Sequence, residues 1–247
     1  MSHASAVVAL VVVLAACGGG DEAPSRAGAQ PVDPATAGTI TGTVTFSGQP
    51  PAMGTLNMSS EAKCSAAHPD PVPTGDALVK DGKVENAFVY VKEGFGSRVF
   101  PAPTGTVTID QKGCLYSPRV VGAETGQTIR FVNSDPLLHN VHSAPTQGSA
   151  WNFSMSKQGV EREITVAKPE VMIPMRCDVH PWMHGWLGVL DHPYFAVTGP
   201  DGRFTLANVP AGEYVVASWH ERFGTREARV TVAAKETKEI GFAYTGN

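Results

Sequence analysis

Runs of alternating apolar and polar residues, interrupted by Gly, Pro and Asp-Gly, fill the chain from residue 39 onward. Thr39 to Phe46 alternates as a half-buried strand does, and Gly48-Gln-Pro-Pro51 closes it with a turn. Val84 to Val91 predicts a second strand, with Phe88 and Tyr90 on one face and Val89 and Val91 on the other. In the middle, Gly126 to Asn133 sets Ile129, Phe131 and Asn133 at even spacing. Arg162 to Val166 follows, and then Glu170 to Cys177, in which Val171, Ile173, Met175 and Cys177 share a parity. Leu187 to Leu190 is the next strand. Toward the end, Asp201-Gly202 turns the chain into Arg203–Leu206, and Pro210-Ala-Gly212 turns it into Tyr214–Trp219. Glu227–Val232 and Glu239–Tyr244 complete the set. A period of two puts alternate side chains on opposite faces, so the pattern predicts an all-β protein. No stretch has the apolar period of an amphipathic helix of three or more turns.

Composition agrees: 26 Gly and 19 Pro punctuate Val-, Ile- and Thr-rich runs, and 42% hydrophobic residues are enough for a core. A formal charge of −4 with no basic cluster argues against nucleic acid as a partner. Ala4 to Ala16 is apolar but too short to span a bilayer, as in the core of a signal peptide. It ends in Leu14-Ala15-Ala16-Cys17, which resembles a bacterial lipobox; the resemblance implies cleavage after residue 16 and lipid on Cys17. Met1-Ser2-His3 lacks the Lys or Arg such signals carry, and an ordinary secretory signal is the alternative. Residues 17–38, rich in Gly, Ala and Pro, read as a flexible tether. The protein is then expected outside the cytoplasm, periplasmic or at the cell surface, anchored by lipid.

The chemistry concentrates in Cys177-Asp-Val-His180-Pro-Trp-Met183, which offers a thiolate, an imidazole and a thioether within one loop. His139-Asn-Val-His142 supplies a second imidazole upstream. Two His and one Cys with a weak axial Met make a mononuclear type 1 copper site, an electron-transfer centre. Strand parity places Cys177 on the core side, at the end of its strand. Zinc accepts the same S and N donors, but a thioether is a poor zinc ligand and Met183 would then be idle. With Cys17 assigned to lipid and Cys177 to metal, Cys64 and Cys114 remain. Outside the cytoplasm two such cysteines are more often paired than not, so a Cys64–Cys114 disulfide is expected, with two buried thiols as the alternative.

From Gly126 to Leu190 the order strand, His-Asn-Val-His, strand, Cys-x-x-His-Pro-aromatic-Met resembles the cupredoxins, and within them the amicyanin type. The resemblance implies a Greek-key β-sandwich with one copper held by His139, Cys177, His180 and Met183. It further implies that Asn133 hydrogen-bonds to the ligand loop, that His142 is no ligand, and that electrons leave by the edge of His180 through an apolar patch. Trp182, Trp186 and Leu187 are the candidates for that patch, with core packing as their alternative. His184 is expected to be exposed or to orient a ligand rather than to be one. Asp178 and Val179 depart from the Ser or Thr and Pro usual there; a charged Asp178 beside the thiolate is expected to favour Cu(II) and lower the potential. His68, His192 and His220 stay unassigned, with His220 placed near a joint between domains.

The chain ends resemble a carboxypeptidase-regulatory-like (transthyretin-like) β-sandwich, on Ile40-Thr-Gly-Thr-Val44 and on Asp201-Gly202-Arg-Phe204 through Val209-Pro210-x-Gly212-x-Tyr214. The domain reading is therefore a signal peptide at 1–16, a tether at 17–38, a discontinuous sandwich from 39–100 and 193–247, and a cupredoxin domain at 101–192 inserted in it. Insertion into an exposed loop is cheap because closure entropy grows only logarithmically with length. The function expected is a one-electron carrier working with a redox partner such as a c-type cytochrome or a periplasmic dehydrogenase. The alternatives are copper binding or delivery without redox cycling, and an adhesion or carbohydrate-binding module. An enzymatic role is disfavoured: the chain has no His-x-His pair, no second cysteine in the ligand loop, and no Cys-x-x-Cys-His.

Overall fold

A computed structural model describes residues 24–246, which form eighteen strands and one short helix. In chain order they are β1 (Gly38–Ser47), α1 (Ala62–Ala66), β2 (Val79–Lys80), β3 (Lys83–Val84), β4 (Phe88–Glu93), β5 (Thr106–Lys112) and β6 (Leu115–Ser117). Next come β7 (Val120–Glu124), β8 (Thr128–Asn133), β9 (His139–Ser143), β10 (Trp151–Met155), β11 (Glu161–Ile164), β12 (Glu170–Arg176) and β13 (His184–Leu190). The last five are β14 (Phe195–Val197), β15 (Arg203–Val209), β16 (Gly212–His220), β17 (Gly224–Val232) and β18 (Thr237–Thr245). The protein is all-β. Among the described residues no helix is long and apolar enough to cross a membrane.

The strands make four sheets packed as two sandwiches. Centrally, β10-β9-β12-β13-β7 faces β11-β8-β5-β6. Their inward residues, among them Ile109, Ile129, Phe131, Val141, Ile173 and Leu187, form one core, all fully buried. The chain ends build the other sandwich: β15-β1-β3-β2, with β18 parallel to β1, faces β14-β4-β16-β17. Ile40, Val44, Val89, Val216, Phe242 and Tyr244 fill it.

β4 explains how the two meet. The sequence pattern puts Val89 and Val91 opposite Phe88 and Tyr90, and all four are buried. Val89 and Val91 face the end core, whereas Phe88 and Tyr90 join Val120, Met172, Leu190 and Ala217 in a third cluster between the sandwiches. Trp186 and Trp219 meet there edge to face at 5.1 Å, and Arg119 forks onto Glu221 at 2.6 and 2.9 Å. The joint needs Gly188, because a Cβ there would lie 2.6 Å from the Phe88 ring.

Two expectations about organisation need correction. Residues 39–100 do not all belong to the end sandwich. Between β1 and β2 the chain crosses to the central core, where Met58 and Cys64 are buried and Leu56 and Val72 pack. Cys64 is disulfide-bonded to Cys114, with Cα atoms 5.6 Å apart. This stretch lacks an alternating run, so periodicity gave it no destination. The tether also ends sooner than residue 38. The Arg26 guanidinium donates to the carbonyls of Phe100, Asp191 and Thr125 and to Thr125 Oγ1 at 2.9–3.2 Å. Gln30 N donates to Val99 O, Val32 packs on the end core, and Ala37 is buried. Cys17 and the signal segment lie outside the described residues.

Candidate metal centre

Three strand ends deliver the donors to one pole of the central sandwich. β9 opens on His139, β12 ends just before Cys177, and β13 begins just after Met183. Ile173, Met175 and Cys177 alternate inward as their parity requires, while Val171 is only half-buried because the β12–β13 register shifts between Glu170 and Ile173. The loop from Cys177 to Met183 is closed by Cys177 N donating to Met183 O at 3.2 Å and Met183 N donating to His180 O at 2.9 Å. Met183 is fully buried in the core cluster.

His139 Nδ1 and His180 Nδ1 lie 2.9 Å apart, and Cys177 Sγ is 3.6 Å from the latter and 4.0 Å from the former. All three residues are buried. Two other groupings nearby, Cys64–Cys114–His180 and Cys114–Asp135–His139, include disulfide sulfurs that cannot become thiolates. Of these groupings among the described residues, only His139–Cys177–His180 keeps a thiol that can ionise to the metal-binding thiolate. A soft sulfur and two imidazoles converging in a dry pocket suit copper, with zinc as the competing ion.

The ligands are held by residues that motif spacing did not reveal. Asp135 accepts from His139 Nε2 at 2.9 Å, and its two oxygens also accept from the backbone N–H groups of Gly113 and Cys114 at 2.7 Å. Neutral His139, with its proton donated from Nε2, presents a lone pair at Nδ1, and a carboxylate behind a ligand histidine raises its basicity. Burial works against a charged imidazole, but the bonds to Asp135 and Cys177 outweigh it and raise His139 to about 8. Burial likewise pushes the Cys177 thiol up, yet the bond to His139 and the N–H groups of Asn140, His180 and Val179 bring it below the ordinary thiol value. His180 goes the other way, lowered by burial and then by His139.

Asn133 does not tie the ligand loop, contrary to what the resemblance implied. Its amide donates to the carbonyls of Leu137 and Met155 at 2.8 Å and its Oδ1 accepts from Asp135 N, so it shapes the approach to His139. Asn140 makes the tie instead. Its Oδ1 accepts from Asp178 N at 2.6 Å, its Nδ2 donates to Asp178 Oδ2, and its backbone N–H points at Cys177 Sγ at 3.5 Å. Tyr116 braces both strands from below by donating to the carbonyls of Asn140 and Arg176. The signal for Asn140 was its place directly after His139; nothing in its spacing distinguished it from a polar strand residue.

Asp178 is exposed but surrounded by donors: Asn140, Asn152, His142 at 2.8 Å and Arg176 at 3.5 Å. His142 acts first to hold its carboxyl below the usual range. Asp178 thus meets the condition of being ionised, but its charge is met by neighbours rather than bare beside the thiolate. His142 serves this pair and is no member of the donor set. His184 is exposed and opposite Arg176, with no hydrogen bond to any ligand, so it does not orient one.

Trp182, Trp186 and Leu187 do not form the expected apolar surface patch. Leu187 is in the core, Trp186 in the joint, and Trp182 lies over His180 at 5.2 Å, its indole N–H donating to Cys114 O at 3.2 Å. His180 is only 2% exposed, because α1, the disulfide and Trp182 cover it. Lys63 fastens the same cover to Pro136 O. Among the described residues, the exposed large hydrophobics are Leu138 and Val179, each one residue before a histidine of the candidate donor set.

No family model matches the chain, and no curated protein matches it. Among solved structures it is similar to the Cu-containing nitrite reductase of Thermus scotoductus SA-01, at 25% identity and TM-score 0.32 over 41% of this chain and 26% of that one. It therefore spans about a quarter of that enzyme's length. It is also similar to a mutant amicyanin in its Cu(I) form, at 21% identity and TM-score 0.31 over 34% of this chain and 82% of that one. A purple cupredoxin from Nitrosopumilus maritimus matches at 22% identity and TM-score 0.29, over 34% and 98%.

Proposed function

We propose that His139, Cys177, His180 and Met183 hold one type 1 copper, and that the protein is a one-electron carrier anchored outside the cytoplasm by lipid on Cys17. The observation that carries this reading is the convergence of two imidazole nitrogens and one ionisable thiol, from two separate strand ends, within 4.8 Å of one another in a buried pocket. Copper, when bound by such a soft set, supplies a one-electron couple with little change of geometry. The chain's own residues do the rest. Asp135 fixes the His139 tautomer, Asn140 locks the loop to β9, and the cover over His180 keeps water from the donors. The partner class is a redox protein such as a c-type cytochrome or a periplasmic dehydrogenase.

Addition of Cu(II) to the metal-free protein tests this directly. An intense visible thiolate-to-copper band is expected, lost in Cys177→Ser and kept in His184→Ala; a colourless Cu(II) complex overturns the reading. Copper storage or delivery without redox cycling is the second reading, favoured by the 2% exposure of His180. Reversible one-electron voltammetry on an electrode separates the two.

A further inference from the structure

The strands of the central sandwich give it two distinct poles. β13 runs from the ligand loop at Met183 to Asp191, and β7 runs parallel beside it from Val120 to Thr125. In the facing sheet β5 and β8 are parallel to each other and run the opposite way: Thr106 pairs with Thr128 at their first end, and Gln111 with Asn133 at their last. Gln111 Nε2 donates to Asn140 O, so that second end is the metal pole. The carbonyls that grip Arg26 belong to Thr125, Asp191 and Phe100, all at the far end. Eight strand residues at about 3.3 Å each put that clamp about 25 Å from the ligand loop.

We infer that the N-terminal segment leaves the protein at the pole opposite the metal, so that a lipid on Cys17 turns the metal pole away from the membrane, toward a soluble protein partner approaching through water. The inference rests on the lipid-anchor reading for its membrane and on the Arg26 clamp for its direction. From Cys17 to Arg26 is nine residue steps. However arranged, nine residues span at most about 30 Å. Bringing the metal pole down to the bilayer would require lifting the clamp by about 25 Å, close to that limit; every shorter arrangement keeps the clamp pole nearer the lipid. A 22-residue tether over 17–38 would have left the orientation open, and it is the four hydrogen bonds of Arg26 that bias it toward the clamp pole.

Energy transfer to a headgroup dye in phosphatidylcholine vesicles measures the orientation. A donor fluorophore is placed through a non-natural side chain at Thr104, exposed at the clamp pole, or at Lys157, exposed beyond the β10 end that pairs with His139. One arm uses the full chain recovered from bacterial membranes. A second uses a copper-loaded chain starting at residue 17, its Cys17 thiol coupled to a maleimide lipid. Transfer from position 104 is expected to exceed that from 157 at least about twofold, and Arg26→Ala is expected to shrink the difference by lengthening the free segment. Equal transfer from both positions in the coupled arm, or more from 157, overturns the inference. Asymmetry in the coupled arm together with a full chain that does not join membranes would sink the lipid reading and leave the clamp standing.

Discussion

Asp135 Oδ2 sits 2.9 Å from His139 Nε2, on the side of the ring away from Cys177, and the same carboxylate caps the N–H groups of Gly113 and Cys114. One side chain therefore orients His139, a candidate metal donor, and anchors the turn that carries half of the disulfide. Asp135→Asn is expected to weaken copper binding by about 10- to 100-fold, as loss of an orienting carboxylate typically does. Competitive titration with a chromophoric chelator reads this. Asp135→Ala should in addition lower thermal stability of the metal-free protein, since the buried Cys114 N–H loses its acceptor at about 1–3 kcal/mol and the half-buried Gly113 N–H loses its own.

Copper affinity should fall as pH drops below about 8, the value to which His139 is raised. The sign follows from competition: the metal takes the neutral imidazole, so each proton bound must first leave. In the metal-free fold the same shift works oppositely. The raised value adds stability that is complete below about 6.5 and is lost as pH rises through about 8. Apparent copper affinity measured from pH 5 to 9 should therefore climb and then level off above about 8. A flat profile would remove the Asp135–His139 pair from the account.

His220 predicts an acid-side loss of stability that has nothing to do with metal. It is 2% exposed, stacked on Phe223 at 4.3 Å, and burial lowers it to about 4. Between about 6.5 and 4 the unfolded chain binds a proton that the fold refuses, so stability falls with pH across that window, by about 3 kcal/mol in all. Denaturant melts of the Cys177→Ser protein at pH 7 and pH 4 read this loss together with that of His180 and His192, which burial also lowers, and a neutral replacement, His220→Gln, should shrink it by the share of His220.

Removing the disulfide should uncover His180. Cys64→Ser with Cys114→Ser opens a crosslink spanning 50 residues, worth about 4 kcal/mol on loop entropy. The copper band should persist but respond to added imidazole or azide at concentrations that leave the native spectrum unchanged. If the double variant shields its copper as well as the parent, Trp182 and Lys63 hold the cover by themselves.

Gly188→Val should damage the joint while sparing the centre. Its side chain would meet Phe88 and the Met172 sulfur, each under 3 Å from the new Cβ. Overpacking of this kind costs about 1–3 kcal/mol. A lower melting temperature with an unchanged visible spectrum is the expected pair of readings.

The proposed donors were legible because they sit at strand ends or in the one loop between β12 and β13, and because the order of soft and borderline ligands is itself chemical information. Cys177 could be placed inside by parity alone. Asn140 was not legible, since it acts through a hydrogen bond to Asp178, thirty-eight residues away. Asp135 lies only four residues before His139, but no strand or ligand spacing marked it, and the N–H groups that hold it lie at Gly113 and Cys114. Asn133 was legible as buried, by parity, but its partners were not. The cover over His180 was hidden for another reason: residues between β1 and β2 follow no period and are placed by a disulfide and a few apolar contacts. The stretch that looked like the end of one sandwich thus shields the working pole of the other.

The pairing of β1 with β18, from Thr39 with Thr237 to Ser47 with Thr245, sets a timetable for the chain. As the chain emerges during synthesis, β1 has no parallel neighbour until β18 arrives. The central strands, from β5 to β13, are complete more than forty residues earlier. Contacts of such unequal sequence separation form at unequal speed. The metal pole can therefore assemble while the end sandwich is still open, and a chain cut short before Thr237 would lose its frame but keep every donor residue.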